Sequence, residues 1–227
     1  MTPYYERDGV TILLGDCRDI LPTLARESVD LVLTDPPYGV NTRTANRRRG
    51  LLAAGKNYRY RRVFGDTEPF DPAPLLAFPR LVLFGANHYA ERLPASASWL
   101  IWDKAAGLRS ERALGFNDNA DAELIWTNLG GPVRILRHQW NGIHQATERQ
   151  DPRVHPTQKP VALMRWLVDR YARPGGLVLD PYMGSGSTLI AAQHMGRPAL
   201  GVEIEERYCE IAARRLSQMP MLLEATP

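Results

Sequence analysis

Two short clusters in this 227-residue chain combine residue types that could do chemistry together. The first is Asp35-Pro36-Pro37-Tyr38-Gly39, which follows an apolar run directly. A plain turn is served by one proline and a glycine. It has no use for an acid and a ring held beside them, so the cluster reads as a site. The second is Asp180-Pro181-Tyr182-Met183-Gly184-Ser185-Gly186-Ser187, between an apolar run and a helical pattern. Its glycines permit a tight turn and close approach of a ligand to backbone, and a following helix offers free N–H groups.

Glu203 closes the next predicted strand, 17 residues after Gly186. An acid at the end of that strand can hold ribose hydroxyls. The third glycine of the dinucleotide pattern is missing, because Ser187, Thr188 and Leu189 follow Gly186. The Walker A lysine is missing as well. The expected ligand has a ribose but no pyrophosphate or triphosphate, which describes a nucleoside-bearing cofactor.

A third feature is basic. Residues 41–62 hold Arg43, Arg47, Arg48, Arg49, Lys56, Arg59, Arg61 and Arg62, with no Asp or Glu among them. A charge run is commonly a solvated surface. This one begins just after the Asp-Pro-Pro-Tyr cluster, so a mobile loop that clamps a phosphate backbone fits it. Arg47 to Arg49 and Arg59 to Arg62 are the expected phosphate contacts.

Apolar runs that alternate with helical patterns must position these clusters. Strands are expected over 11–14, 29–33, 81–84, 99–102, 122–127, 177–179 and 199–204, the run at 122–127 having a polar start. Helices are expected over 20–24, 160–172, 188–195 and 207–219. The alternation predicts an α/β class with a mostly parallel sheet. Sites of such sheets gather at the carboxyl ends of strands, where both clusters fall. Residues 130–158 are poorer in pattern and rich in Arg and His, which suits either a short recognition segment or a long surface connection.

The chain is long enough for one domain over 1–227. No stretch approaches the roughly 20 apolar residues that span a bilayer, and residues 1–6 lack a signal-peptide layout. The two cysteines, Cys17 and Cys209, give neither a disulfide framework nor metal-ligand spacing. A cytoplasmic setting is the expectation, with no metal and no membrane partner.

Together, Asp35-Pro36-Pro37-Tyr38 and Asp180-Pro181-Tyr182-Met183-Gly184-Ser185-Gly186-Ser187-Thr188 resemble the catalytic and cofactor motifs of the S-adenosylmethionine-dependent DNA amino-methyltransferases. Phe is commoner in that family where Tyr182 stands, and Thr is frequent where Ser187 stands. His155-Pro156-Thr157-Gln158-Lys159-Pro160, Gly201-Val202-Glu203 with Tyr208, and Gly15-Asp16-Cys17 resemble further family elements. Asn87-His88 and Trp102-Asp103-Lys104 resemble elements of small bacterial and phage-type members. The catalytic motif precedes the cofactor motif, which is the circularly permuted order of the beta group. The resemblance implies a Rossmann-like sheet of seven strands, one of them reversed, with helices on both faces and with 122–127 contributing to the reversal.

It also implies roles. Asp35 and the Pro36 carbonyl would accept hydrogen bonds from an exocyclic base amine, and Pro37 would help fix that backbone. Tyr38 would offer a stacking face to a base flipped out of the duplex. Asp35 and Asp180 would border the cofactor, and Tyr182, Gly184, Ser185 and Gly186 would shape its methionine pocket with Asp180. Thr188 either assists through its hydroxyl or caps the helix. Asp16 and Cys17 would lie near the cofactor's adenine, with Cys17 equally readable as buried filler. Glu203 would take the ribose. Lys159 would reach the cofactor edge or a DNA phosphate. His88, Trp102, Asp103 and Lys104 would line or support the base pocket.

The implied reaction is methylation of adenine N6 in double-stranded DNA, since Asp at the first motif position leans toward adenine. Cytosine N4 is the alternative. A homodimer and a restriction endonuclease acting on the same site are the further partners implied. A non-catalytic nucleic-acid binder would be expected to lack Asp35 or the glycine turn. A nicotinamide dehydrogenase would need the third glycine.

Overall fold

The computed structural model describes residues 2–40, 64–106, 120–141, 144, 145, 147, 155 and 157–218. The elements run β1 (Tyr5–Arg7), β2 (Val10–Leu14), α1 (Cys17–Ile20), β3 (Val29–Thr34), α2 (Ala73–Leu76), β4 (Leu81–Phe84), β5 (Trp99–Asp103) and β6 (Ala122–Thr127). They continue with β7 (Arg134–Arg137), β8 (Trp140–Asn141), β9 (His144–Gln145), α3 (Val161–Tyr171), β10 (Leu177–Asp180), α4 (Ser187–His194), β11 (Ala199–Glu203) and α5 (Glu206–Ser217). The basic stretch 41–62, with all eight of its named cations, lies outside the described residues.

Strand β3 shows why the sheet must be covered twice. Leu31 and Leu33 point into one apolar cluster and Val32 into the other, and all three are fully buried. Each such side chain stabilises the fold by about 1.5–3 kcal/mol relative to exposure. One cluster is closed by α3, α4 and α5. The other is closed by α1, α2 and short turns carrying Phe70, Phe78 and Tyr89. Helix α3 turns Val161, Leu163, Met164, Leu167 and Val168 inward, a helical stripe. Pro160 is its extended N-cap rather than part of its first turn. Pro174 follows shortly after the helix and disfavours helical backbone at Arg173.

The sheet has nine strands in the order β1-β2-β11-β10-β3-β4-β6-β5-β7, which corrects the expected seven. The two additions are its edges. β1 folds back antiparallel on β2 through Asp8 and Gly9, both at positive φ. β7 pairs parallel with β5. Both are polar and largely exposed, so neither carries the apolar signature of an inner strand. β6 is antiparallel to both β4 and β5 and is the reversed strand itself. β7 extends the sheet and β8 and β9 form a small hairpin, so residues 130–158 begin as part of the core architecture rather than as a separate insertion.

Candidate active site

β3 and β10 are parallel neighbours, with Val178 opposite Leu31 and Leu179 opposite Val32. Their carboxyl ends therefore bring Asp35 and Asp180 to one edge of the sheet. The Thr34 hydroxyl donates to Asp180 Oδ1 at 2.6 Å and ties the two clusters together. A cavity of ≈ 410 Å³ opens there, within the range of cofactor and small-ligand sites.

All but one of the predicted catalytic and cofactor residues meet on its wall. Asp16, Cys17, Asp35, Pro36, Pro37, Tyr38, Lys159, Asp180, Tyr182, Gly184, Ser185, Thr188 and Glu203 all line it. Gly186 does not. It begins α4 at φ +81°, and a Cβ there would meet Ala212 Cβ at 2.9 Å, so this glycine serves the packing of α4 on α5. His88, Trp102, Asp103 and Lys104 are also off the cavity wall. The His88 ring stacks on Tyr38 at 4.8 Å. Trp102 is buried and donates to the His138 carbonyl. Asp103 caps the turn at Ala105 and Ala106.

One end of the cavity suits a nucleoside. Glu203 Oε2 accepts from the Gly184 N–H at 3.0 Å and Oε1 from the Glu205 N–H at 2.8 Å. Burial raises the Glu203 carboxyl above its ordinary range despite these donors. Each oxygen retains acceptor capacity for a hydroxyl. Asp16 caps α1 and is held low by its hydrogen bond to Arg18. Phe70 meets Tyr182 edge-on at 5.8 Å, and both rings face the cavity. Asp180 is almost fully buried, and burial pushes its carboxyl up to about 6. An anionic carboxylate in that position would welcome a cationic ligand group.

The other end is the Asp-Pro-Pro-Tyr cluster. Asp35 accepts from the Tyr38 hydroxyl through Oδ1 and from the Lys159 ammonium through Oδ2. Lys159 is thus a partner of the acid. Burial raises the Asp35 carboxyl, and Lys159 only partly offsets this. Burial alone would discharge Lys159, but Asp35 and Glu123 outweigh it and hold the ammonium charged. Gly85 makes room for the ring. It sits at φ +64°, and a Cβ there would fall inside Tyr38.

Sequence reasoning missed several wall residues, among them Phe64, Asp66, Phe70 and His155 in a cavity role. Asp66 Oδ1 accepts from the Gly39 and Val40 N–H groups at 3.0 and 3.2 Å and so fixes the exit of the catalytic cluster. An acid among turn formers was the only local signal. His155 packs on Tyr208 at 4.3 Å and is driven to about 3 by burial, which keeps it neutral.

An open α/β sheet with a cofactor-sized cavity beside a half-buried acid–proline–aromatic cluster fits a group-transfer enzyme. A family model described as DNA methylase, N6_N4_Mtase, matches residues 81–214. That is more than half of the chain, and the chain belongs to this family of DNA methylases. The type II methyltransferase M2.LlaDCHI of Lactococcus lactis subsp. cremoris is 22% identical over 262 residues, covering 95% of this chain and 92% of its own. The fold is similar to that of the M1.HpyAVI–SAM complex, with TM-score 0.56 and 23% identity over 91% of this chain and all of the other. It is also similar to the cytosine-N4-specific PvuII DNA methyltransferase, with TM-score 0.61 and 14% identity over 98% and 90% of the two chains.

Proposed function

We propose that this DNA methylase transfers a methyl group from S-adenosylmethionine to the N6 amine of adenine in double-stranded DNA. The observation that carries the proposal is one cavity with Glu203 and Gly184 at one end and Asp35 with Pro36 at the other. The residues fit the cofactor. Glu203 offers acceptors for ribose hydroxyls, Tyr182 and Phe70 offer aromatic walls, and buried Asp180 faces the cationic methionine portion. When bound, the cofactor supplies a methyl group already activated by its sulfonium.

The remaining work is positioning. An exocyclic base amine is a poor nucleophile because its lone pair is shared with the ring. Asp35 and the Pro36 carbonyl accept its hydrogens and turn the lone pair toward the methyl group. The prolines fix this geometry and add no competing donor. The gain comes from orientation and preorganised electrostatics, with no covalent enzyme intermediate. Tyr38 supplies a stacking face for the extruded base. The cations of 41–62, which lie outside the described residues, and the segment 130–158 are the proposed phosphate and target-recognition elements. Among the described residues, no helix is long and apolar enough to cross a membrane.

The test is methyl transfer from labelled S-adenosylmethionine to unmethylated bacterial DNA, with product nucleosides identified by mass spectrometry. N6-methyladenine that vanishes with Asp35→Ala supports the proposal. N4-methylcytosine would replace adenine by cytosine and keep the site. No DNA product despite cofactor binding would refute it.

A further inference from the structure

Asp35 is the inner end of a row of four buried or half-buried charges. Lys159 pairs with Asp35 Oδ2 and also lies 3.4 Å from Glu123 Oε2. Glu123 Oε1 pairs with Lys104 at 2.6 Å. The signs alternate and cancel. Glu123 Oε2 is buried and accepts no hydrogen bond, although the ammonium lies within ion-pair distance. Lys159 therefore sits between two carboxylates, in short contact with Asp35 and in a longer ion pair with Glu123 that lacks good hydrogen-bond geometry. The Phe84 ring lies 5.3 Å from its Nζ, where its face favours a cation. Glu123 is not on the cavity wall, so it meets neither cofactor nor base directly.

The short contact conflicts with the role of Asp35. A carboxylate neutralised by an adjacent ammonium is a weaker acceptor for the hydrogens of an incoming amine. Moving the ammonium toward a second carboxylate removes that conflict while keeping the ammonium paired, and the hydrogens of the docking amine replace it on Asp35. Resting on the amino-methyltransferase function, we propose that Glu123 is a positioning residue that takes the Lys159 ammonium from Asp35 when the target amine docks. Lys104 holds Glu123 in place for this exchange and tempers its pull. Asp35 is then free to accept the amine hydrogen.

The titratable groups facing this row are Tyr38, Tyr89 and Asp180 around Asp35, and His155 near Lys159. Burial holds His155 neutral down to about 3 and raises both tyrosines. The carboxyls left to shape the acid limb of kcat are Asp35, Asp180 and Glu203, so the contribution of Asp35 is read from its own 13C titration.

Two substitutions give opposite signs. Glu123→Gln leaves Lys159 on Asp35, so kcat should fall about tenfold and the acid limb should move down by about one pH unit. Lys104→Gln strips a cation from Glu123, strengthens its hold on Lys159 and should move the limb up. Cofactor Kd and the thermal midpoint report whether each variant is folded. In the 13C titration of the Asp35 carboxyl, addition of target DNA without cofactor should raise the midpoint in the wild type and leave it unmoved in Glu123→Gln, a readout independent of turnover and of the static charges of the row. Shifts of equal sign, or a DNA-induced rise of the Asp35 midpoint that is the same in wild type and Glu123→Gln, overturn the exchange. Wild-type protein that methylates no DNA refutes the reaction instead, a distinct outcome.

Discussion

Asp180 gives a stability prediction whose size follows from the structure. Burial is the largest influence on its carboxyl and raises it from the usual 3.8 to about 6. The Thr34 hydroxyl and the Tyr182 N–H favour the anion but do not offset burial. For an acid raised on folding, stability is fully present below the unfolded value and is lost as pH rises through the folded one. The full loss is about 3 kcal/mol, from a displacement of roughly two pH units. Between about pH 5 and 7.5 the loss still to come is roughly 1 kcal/mol, because the unfolded chain is already largely ionised at the lower pH. Asp180→Asn keeps the shape and an oxygen acceptor for Thr34 and Tyr182 but cannot ionise. Urea unfolding of cofactor-free protein at several pH values measures the difference between variant and wild type, in which the titrations of groups remote from Asp180 cancel and only the coupled Asp35 adds a smaller change. The variant should gain roughly 1 kcal/mol relative to wild type across that range. A difference independent of pH would refute the argument that a buried, unpaired carboxylate penalises the empty fold.

Two further predictions concern the two ends of the cavity. Gly85→Ala should destabilise the fold by about 1–3 kcal/mol, since it forces a side chain into left-handed backbone, and should lower kcat by displacing Tyr38; urea unfolding and steady-state kinetics check both, and unchanged kcat would show that the ring position is not limiting. Glu203→Gln should weaken cofactor binding about tenfold, the loss expected for hydrogen bonds to a charged acceptor, while kcat at saturating cofactor stays near wild type. Calorimetry measures the first effect, and unaltered affinity would remove Glu203 from the ribose site.

The parts of this molecule that were legible in the sequence are those whose role demands a local backbone shape or a continuous apolar run. Strands β3, β4 and β10 and helices α3 to α5 carry their burial pattern in consecutive residues. The turns at Asp35 and Asp180 carry theirs in prolines and glycines. Edge strands β1 and β7 bury too little to be seen, so two of the nine strands were missed. Lys159 was visible as a basic residue near the site, but its partner Asp35 is 124 residues away, and no local pattern encodes that distance. Glu123 illustrates the limit most clearly. Ligand-bearing residues of an open α/β sheet are sought at the carboxyl ends of its strands, yet Glu123 is the second residue of β6. Because β6 is reversed, its first residues lie level with the last residues of its neighbour: Glu123 pairs with Trp102 and Ala122 with Asp103. A polar residue at the start of an apolar run looks like ordinary strand fraying until the direction of the strand is known. Once it is known, the search at strand ends inverts for that one strand, and an acid that seemed remote from the chemistry falls beside the lysine that holds Asp35.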